Sequence, residues 1–209
     1  MYTPKSYEQN DLDELYEFIK SNNFGTLISQ IDDSPFATHI PFILKRDESP
    51  SGAVLIGHMA RANPHWKAIT PDTKVLVIFH GAHHYISPKW YMQQNNVPTW
   101  NYMVAHVYGT IDVIDSSEKL LEMVAELAGH HETKFETYWN INSLSPEQLN
   151  PLLQSIVGIR LNIERIEGKY KLNQNRSMED QQGVVDALTQ YDYSDAQIIR
   201  DRMQENLKG

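Results

Sequence analysis

Phe24-Gly-Thr-Leu-Ile-Ser-Gln-Ile31 and Phe36-Ala-Thr-His-Ile-Pro-Phe-Ile-Leu44 flank the short polar stretch Asp32-Asp33-Ser34-Pro35. The first run alternates with the period of a strand, and Asp, Ser and Pro are turn formers. The three segments therefore read as a β-hairpin. The same pattern recurs downstream. Residues 53–59, 74–80 and 100–115 read as strands, the last of them long and bent near Gly109. Residues 83–87 continue the second of these or pair with it, and 156–173 reads as a strand pair turning at Glu167-Gly168. Residues 45–52, rich in charge, Ser and Pro, form a hairpin loop, and residues 90–99 form another loop.

Helices are inserted between these strands without a regular rhythm. Residues 10–20 carry one apolar stripe, Leu12, Leu15, Tyr16 and Ile19, behind Asn10 as a cap. Residues 116–135 do the same with Ser116 as cap and Leu120, Leu121, Val124 and Leu127 turned inward. Another helix opens at Ser145 with Pro146 in its first turn. From Ser177 onward two amphipathic segments follow, marked by Val184, Val185 and Leu188, then by Ile198, Ile199 and Met203. A doubly wound parallel sheet needs alternating strands and helices. The order here predicts a mainly β, α+β chain built on an antiparallel closed or split barrel.

The 209 residues, 41% of them hydrophobic, suffice for one sizeable core. We expect a single domain over 1–209, with the barrel in 1–175 and a helical extension in 176–209. The longest apolar run, Val75 to Phe79, is far below the roughly 20 residues of a membrane span. The opening MYTPKSYEQND lacks the apolar region of a secretory signal. With no cysteine, the chain has neither disulfides nor thiolate chemistry, which fits a cytoplasmic protein without a membrane partner. The net charge of −9 lacks the basic footprint of nucleic-acid binding, so a DNA contact needs a local patch.

The stretch richest in chemistry is Gly57-His-Met-Ala-Arg-Ala-Asn-Pro-His-Trp66. A strand delivers the chain to Arg61, then Asn63 stands at a cap position and Pro64 at a first helical position. A helix opening beside Arg61, with His58 one strand step behind, suits a phosphate; the other reading is a capped surface helix with a solvated Arg.

Phe36-Ala-Thr-His-Ile-Pro-Phe, Gly57-His-Met-Ala-Arg-Ala-Asn-Pro, Tyr85-Ile-Ser-Pro-Lys-Trp-Tyr, Val97-Pro-Thr-Trp-Asn-Tyr and Lys171-Leu-Asn-Gln-Asn-Arg-Ser177 run in order along nearly the whole chain. Together they resemble the blocks of the PaiB-type FMN-binding negative transcriptional regulators, a family similar to the FMN-binding split-barrel proteins. The resemblance implies an antiparallel six-stranded split barrel with flanking helices. It also implies a homodimer with flavin in a groove between subunits, and repression of sporulation and degradative-enzyme genes through DNA or a protein partner. Arg61 and Asn63 would then hold the FMN phosphate, with His58 and Met59 beside it. Thr38 and His39 would face the ribityl chain or ring, and Trp100 and Asn101 would line the isoalloxazine. Lys171, Gln174 and Arg176 would close over the flavin. His39 also reads as a satisfied barrel histidine, Trp100 as a core aromatic, and the Lys169 and Lys171 face as a lysine-protected strand edge.

Other chemistries find little support. His80, His83 and His84, and His130-His131-Glu132, match no metal spacing, so no metal site is expected. Haem is an alternative cofactor, because some split-barrel relatives bind it. No nucleophile elbow, Walker loop or dinucleotide fingerprint is present, and no catalytic residue is assigned. If the chain is an enzyme, it is an FMN-dependent oxidoreductase whose chemistry belongs to the flavin. In the tail, Glu179, Asp180, Asp186, Asp192 and Asp195 outnumber Arg200 and Arg202, which argues against a DNA-reading helix-turn-helix.

Overall fold

The hairpin at 24–44 closes on a turn of two residues. Asp32 and Asp33 both take positive φ, 47° and 60°. A two-residue connection needs that geometry to match the twist of its strands, and Asp tolerates it better than most residues. The turn sets Leu27 opposite Thr38 and Ser29 opposite Phe36.

The computed structural model describes residues 1–46, 52–93, 96–133, 135 and 139–208. In chain order the elements are β1 (Glu8–Gln9), α1 (Leu12–Ser21), β2 (Phe24–Ile31), β3 (Ser34–Pro41) and β4 (Ile43–Arg46). They continue with β5 (Ala53–Ala60), α2 (His65–Ala68), β6 (Val75–Ile86), β7 (Thr99–Ile114) and α3 (Ser117–Glu132). The last are α4 (Pro146–Gln154), β8 (Ile156–Lys171), α5 (Met178–Leu188) and α6 (Ser194–Lys208). The strands form one eight-stranded sheet in the order β3-β2-β6-β7-β8-β5-β4, with β1 paired to β8. Every pairing whose register is assigned is antiparallel.

The strand count exceeds the six expected for local reasons. The predicted strand at 36–44 is two, because Phe42 leaves the ladder to donate its N–H to Asn23 at 2.8 Å. Its ring is buried edge-on against Phe79, 5.8 Å away. Conversely, the predicted pair turning at Glu167-Gly168 is one continuous strand. Gly168 serves close packing: a Cβ there would lie 2.4 Å from Leu15 Cδ2 and 2.9 Å from Gln9 O. Along β8 the buried positions change from odd to even between Ile163 and Gly168, as an extra residue in a bulged strand would make them do. Residues 74–80 and 83–87 likewise belong to one strand, β6.

Most predicted helices hold, with changes at their ends. Asp11, one residue after the expected Asn10, caps α1 by accepting from Asp13 and Glu14 N–H at 2.9 and 3.1 Å. Ser116 caps α3 as expected, and Ser145 and Gln148 form a capping box on α4. Helix α3 ends at Glu132, three residues short of the prediction. The loop expected at 45–52 starts later, since Lys45 and Arg46 pair in β4; residues 47–51 of it lie outside the described residues, as do 94–95 of the second loop.

The chain divides into two compact units. The first comprises Met1–Phe18, His80–His106 and Glu167–Gly209, the second Ile19–Phe79 and Val107–Ile166. In the second unit Leu27, Ile40, Phe42, Leu55, Val77, Phe79, Ile159 and Leu161 are almost wholly buried. Each such side chain contributes about 1.5–3 kcal/mol by leaving water. A smaller cluster gathers Ile43, Leu120, Met123, Leu127 and Leu153, with Ile56 packed on it. In the first unit α5 and α6 pack on each other through Val184, Val185, Leu188, Ala196, Ile199 and Met203, all essentially inaccessible.

Candidate functional site

Strand alternation sorts the expected site residues before any chemistry does, because neighbours in a strand face opposite sides of a sheet. In the second unit Thr38 faces inward and His39 outward, where His39 stacks on the exposed Phe24 at 6.2 Å. On β5, Met59 is buried on the side of Gly57, whereas His58 lies on the side of Ile56. Thr38 and His39 thus present their side chains to opposite faces, and so do His58 and Met59. His58 Nδ1 is buried without a hydrogen-bond partner among the described residues, and burial lowers its pKa.

The inward Thr38 belongs to a polar clasp around a histidine that the sequence did not single out. His65 is completely buried. Its Nδ1 lies 2.8 Å from Thr38 Oγ1 and its Nε2 lies 2.8 Å from Ser29 Oγ. Asn63 completes the clasp: its Oδ1 accepts the His65 N–H at 3.0 Å, so its Nδ2 donates to Thr38 Oγ1 at 3.0 Å. Burial pushes the His65 pKa down, so the ring is neutral at pH 7. The cap position of α2 falls on Pro64, one residue after the Asn63 expected there; Asn63 Oδ1 takes the N–H of His65, the first residue of this single-turn helix.

Arg61 has partners other than the phosphate anticipated for it. Its Nε donates to Gln154 O at 2.7 Å, and its Nη2 to Ile156 O at 2.9 Å and Asp115 Oδ1 at 2.5 Å. The backbone N–H of Arg61 reaches Ser155 O at 2.8 Å. Gln154 O and Ser155 O end α4, where the helix dipole is negative and a cation is stabilising, and Ile156 O opens β8. The hydrogen bond from Arg61 also holds the Asp115 carboxyl below the usual carboxylate range. Arg61 is thus a clamp between α4, β8 and the start of α3.

In the first unit, Trp100 and Asn101 again part. Asn101 is fully buried and donates through Nδ2 to Met203 Sδ at 3.3 Å. Trp100 is 52% exposed, with Tyr85 edge-on at 5.9 Å and His83 at 6.1 Å, both also exposed. Beside this aromatic face Lys171 donates to Thr99 Oγ1 and to Trp100 O, each at 2.5 Å. Two of its three N–H groups are thereby used.

The end of β8 aims the remaining basic residues. Asn173, with φ of 64°, turns the chain, and Arg176 N–H closes the turn on Asn173 O at 2.9 Å. Gln174 is spent on that turn, accepting from Leu172 N–H at 2.7 Å and donating to Tyr170 O at 2.6 Å. Arg176 donates to Asn96 Oδ1 at 2.6 Å and lies over the Tyr91 ring at 5.1 Å. Lys169 lies over the Tyr102 ring at 5.3 Å and donates to Tyr2 O at 3.1 Å. Among the described residues no carboxylate pairs with Lys169, Lys171 or Arg176. Burial, then Lys169 and Arg176, lower the Lys171 pKa. Three mutually repelling cations beside exposed aromatic rings suit an anionic group carried on a planar ring system.

The described residues contain no group of three His, Asp or Glu placed to hold a metal ion. His84 is turned inward to Tyr193 Oη and Tyr85 O, while His83 points outward toward Asp195. No helix among the described residues is long and apolar enough to cross a membrane.

The fold has counterparts among solved structures. The FAD and heme binding protein of Mycobacterium smegmatis superposes with a TM-score of 0.54, covering 79% of this chain and 73% of that one at 15% identity. The flavocytochrome Anf3 of Azotobacter vinelandii gives 0.53, with 78% and 69% covered at 12% identity. At such identities the likeness is one of fold alone, and the class it defines is the antiparallel split barrel. Residues 1–165 match the family model described as "Putative FMN-binding domain", and the chain belongs to that family. Over its full length it is 34% identical to the protease synthase and sporulation protein PAI 2 of Bacillus subtilis, across 99% of that protein. The resemblance to the PaiB-type proteins is thereby established.

Proposed function

We propose that this chain is an FMN-binding regulatory protein of the PaiB type, acting in the cytoplasm as a homodimer. The observation that carries the flavin part is the group Lys169, Lys171 and Arg176, three cations without a paired carboxylate among the described residues. Lys171 with Arg176 would meet the phosphate, and the exposed ring of Trp100 with Tyr85 would meet the isoalloxazine. Bound flavin would supply redox chemistry, and the protein would supply binding and orientation. The negative-regulator reading is supported by the full-length kinship with a protein named for protease synthesis and sporulation. With a net charge of −9, a protein partner is favoured over direct DNA contact.

The decisive measurement is the visible spectrum after incubation with FMN and desalting, repeated with haemin. Retained flavin bands in the wild type, lost in Lys171→Met, support the reading. A Soret band with no flavin retention overturns it in favour of haem. Turnover of reduced nicotinamide by the flavin-loaded protein would instead make it an oxidoreductase on the same fold.

A further inference from the structure

Helix α5 carries a face that the flavin reading does not use. Glu179, Gln182, Gly183 and Asp186 stand at i, i+3, i+4 and i+7, so they share one side of the helix. With Met92, Met178 and Leu207 they line a groove of about 460 Å³ within the first unit. The two methionines are 73% and 65% exposed. Unbranched, polarizable thioethers adapt to apolar partners of varied shape.

The groove rests on a built floor. Asp180 is 1% exposed, and its carboxylate accepts the Gln93 N–H at 3.0 Å. A Cβ on Gly183 would lie 2.3 Å from Trp90 O, so α5 sits directly on the turn at Pro88–Trp90.

The rim is acidic, and one of its two carboxylates stands against the helix dipole. Glu179 lies in the first turn of α5, where the dipole favours an anion, but Asp186 lies near the last turn, where it does not. Among the described residues Asp186 Oδ1 is met by Gln182 Nε2 at 2.8 Å, and neither carboxylate is ion-paired. Of the cations near α5 in sequence, Arg176 donates to Asn96 and lies over the Tyr91 ring, and Arg200 and Arg202 pair with Asp201, Glu205 and Glu14. Nucleic acid would bring phosphate, which these carboxylates repel.

We infer that this groove is the docking site for a basic amphipathic helix of a protein partner. Its apolar side chains would lie on Met92 and Met178, and its Lys or Arg residues would face Glu179 and Asp186. This rests on the α5 face alone and survives if the flavin assignment fails.

The test follows the methionine methyl resonances of the full chain during titration with a helical peptide carrying Leu on one face and Lys on the other. The expected result is shifts at Met92 and Met178 while buried Met103 and Met203 stay fixed, with binding that weakens as salt rises. Glu179→Lys with Asp186→Lys should cut affinity by about tenfold, while the methyl resonances of buried Met103 and Met203 stay in place and report an intact fold. Equal binding of a peptide with Glu in place of Lys overturns the inference. So does the absence of shifts at Met92 and Met178, or their movement with protein concentration alone, which would assign the groove to a second copy.

Discussion

The guanidinium of Arg61 meets the Asp115 carboxylate at 2.5 Å through the same Nη2 that reaches Ile156 O. One side chain thus fastens the end of β5 to the residue before the α3 cap and to the first residue of β8. We expect Arg61→Ala and Asp115→Ala each to lower the melting temperature, with the double variant little worse than Arg61→Ala, since both remove one clamp. FMN affinity should be unchanged in folded Arg61→Ala. A loss of affinity specific to Arg61→Ala and absent from Asp115→Ala would return Arg61 to the phosphate.

Lys171 carries the opposite expectation. Lys171→Met should weaken FMN by about 1.5–3 kcal/mol, the range for a hydrogen bond to a charged group, and leave riboflavin, which lacks the phosphate, unaffected. Fluorescence titration with both ligands separates the two effects. Equal losses for FMN and riboflavin would mean that Lys171 supports the ring face and not the phosphate.

Acid should destabilise the fold through its buried imidazoles. Burial lowers the pKa of His58, His65 and His106. In the unfolded chain these groups titrate near 6.5, so below that pH the unfolded state binds more protons and stability falls. The loss begins as pH drops through 6.5 and ends below the folded values. One group can supply at most about 1.4 kcal/mol per pH unit. Urea unfolding at several pH values checks this, and His65→Gln should flatten the profile. An unchanged profile would mean that His65 is protonated equally in both states.

Two glycines should respond in opposite directions. A Cβ on Gly109 would fall 2.0 Å from the backbone oxygen of Asn162, whereas one on Gly129 meets nothing within 4 Å. Gly109→Ala should therefore cost at least about 3 kcal/mol, since the obstacle is backbone. Gly129→Ala, within α3, should stabilise by about 0.5–1 kcal/mol. Thermal melts of both variants decide it.

Much of the fold was readable because local signals are strong where period, caps and turns agree. Strand Phe24–Ile31 and the Ser116 cap were placed by such agreement. Reading failed where a residue's reason is tertiary: Gly168 looked like a turn but makes room for Leu15. Of the site, the residue types were legible but their sides were not. Thr38 with His39, His58 with Met59, and Trp100 with Asn101 are neighbours in sequence, and each strand separates them. His65 was missed because it follows Asn63-Pro64 and read as an ordinary first helical turn. The signal was the pair of hydroxyls, Ser29 and Thr38, on the same inward face of the hairpin.

The two-residue turn at Asp32-Asp33 has a mechanical consequence for that clasp. A tight hairpin leaves no slack, so the turn fixes the register in which β3 pairs with β2. With the turn kept at two residues, one residue inserted in β3 between Ser34 and Thr38 would roll the rest of the strand over. His39 would enter the interior and Thr38 would go to solvent, leaving the ring of His65 without that hydroxyl. Insertions elsewhere on the surface change a loop; one here would exchange the inside of a strand for its outside.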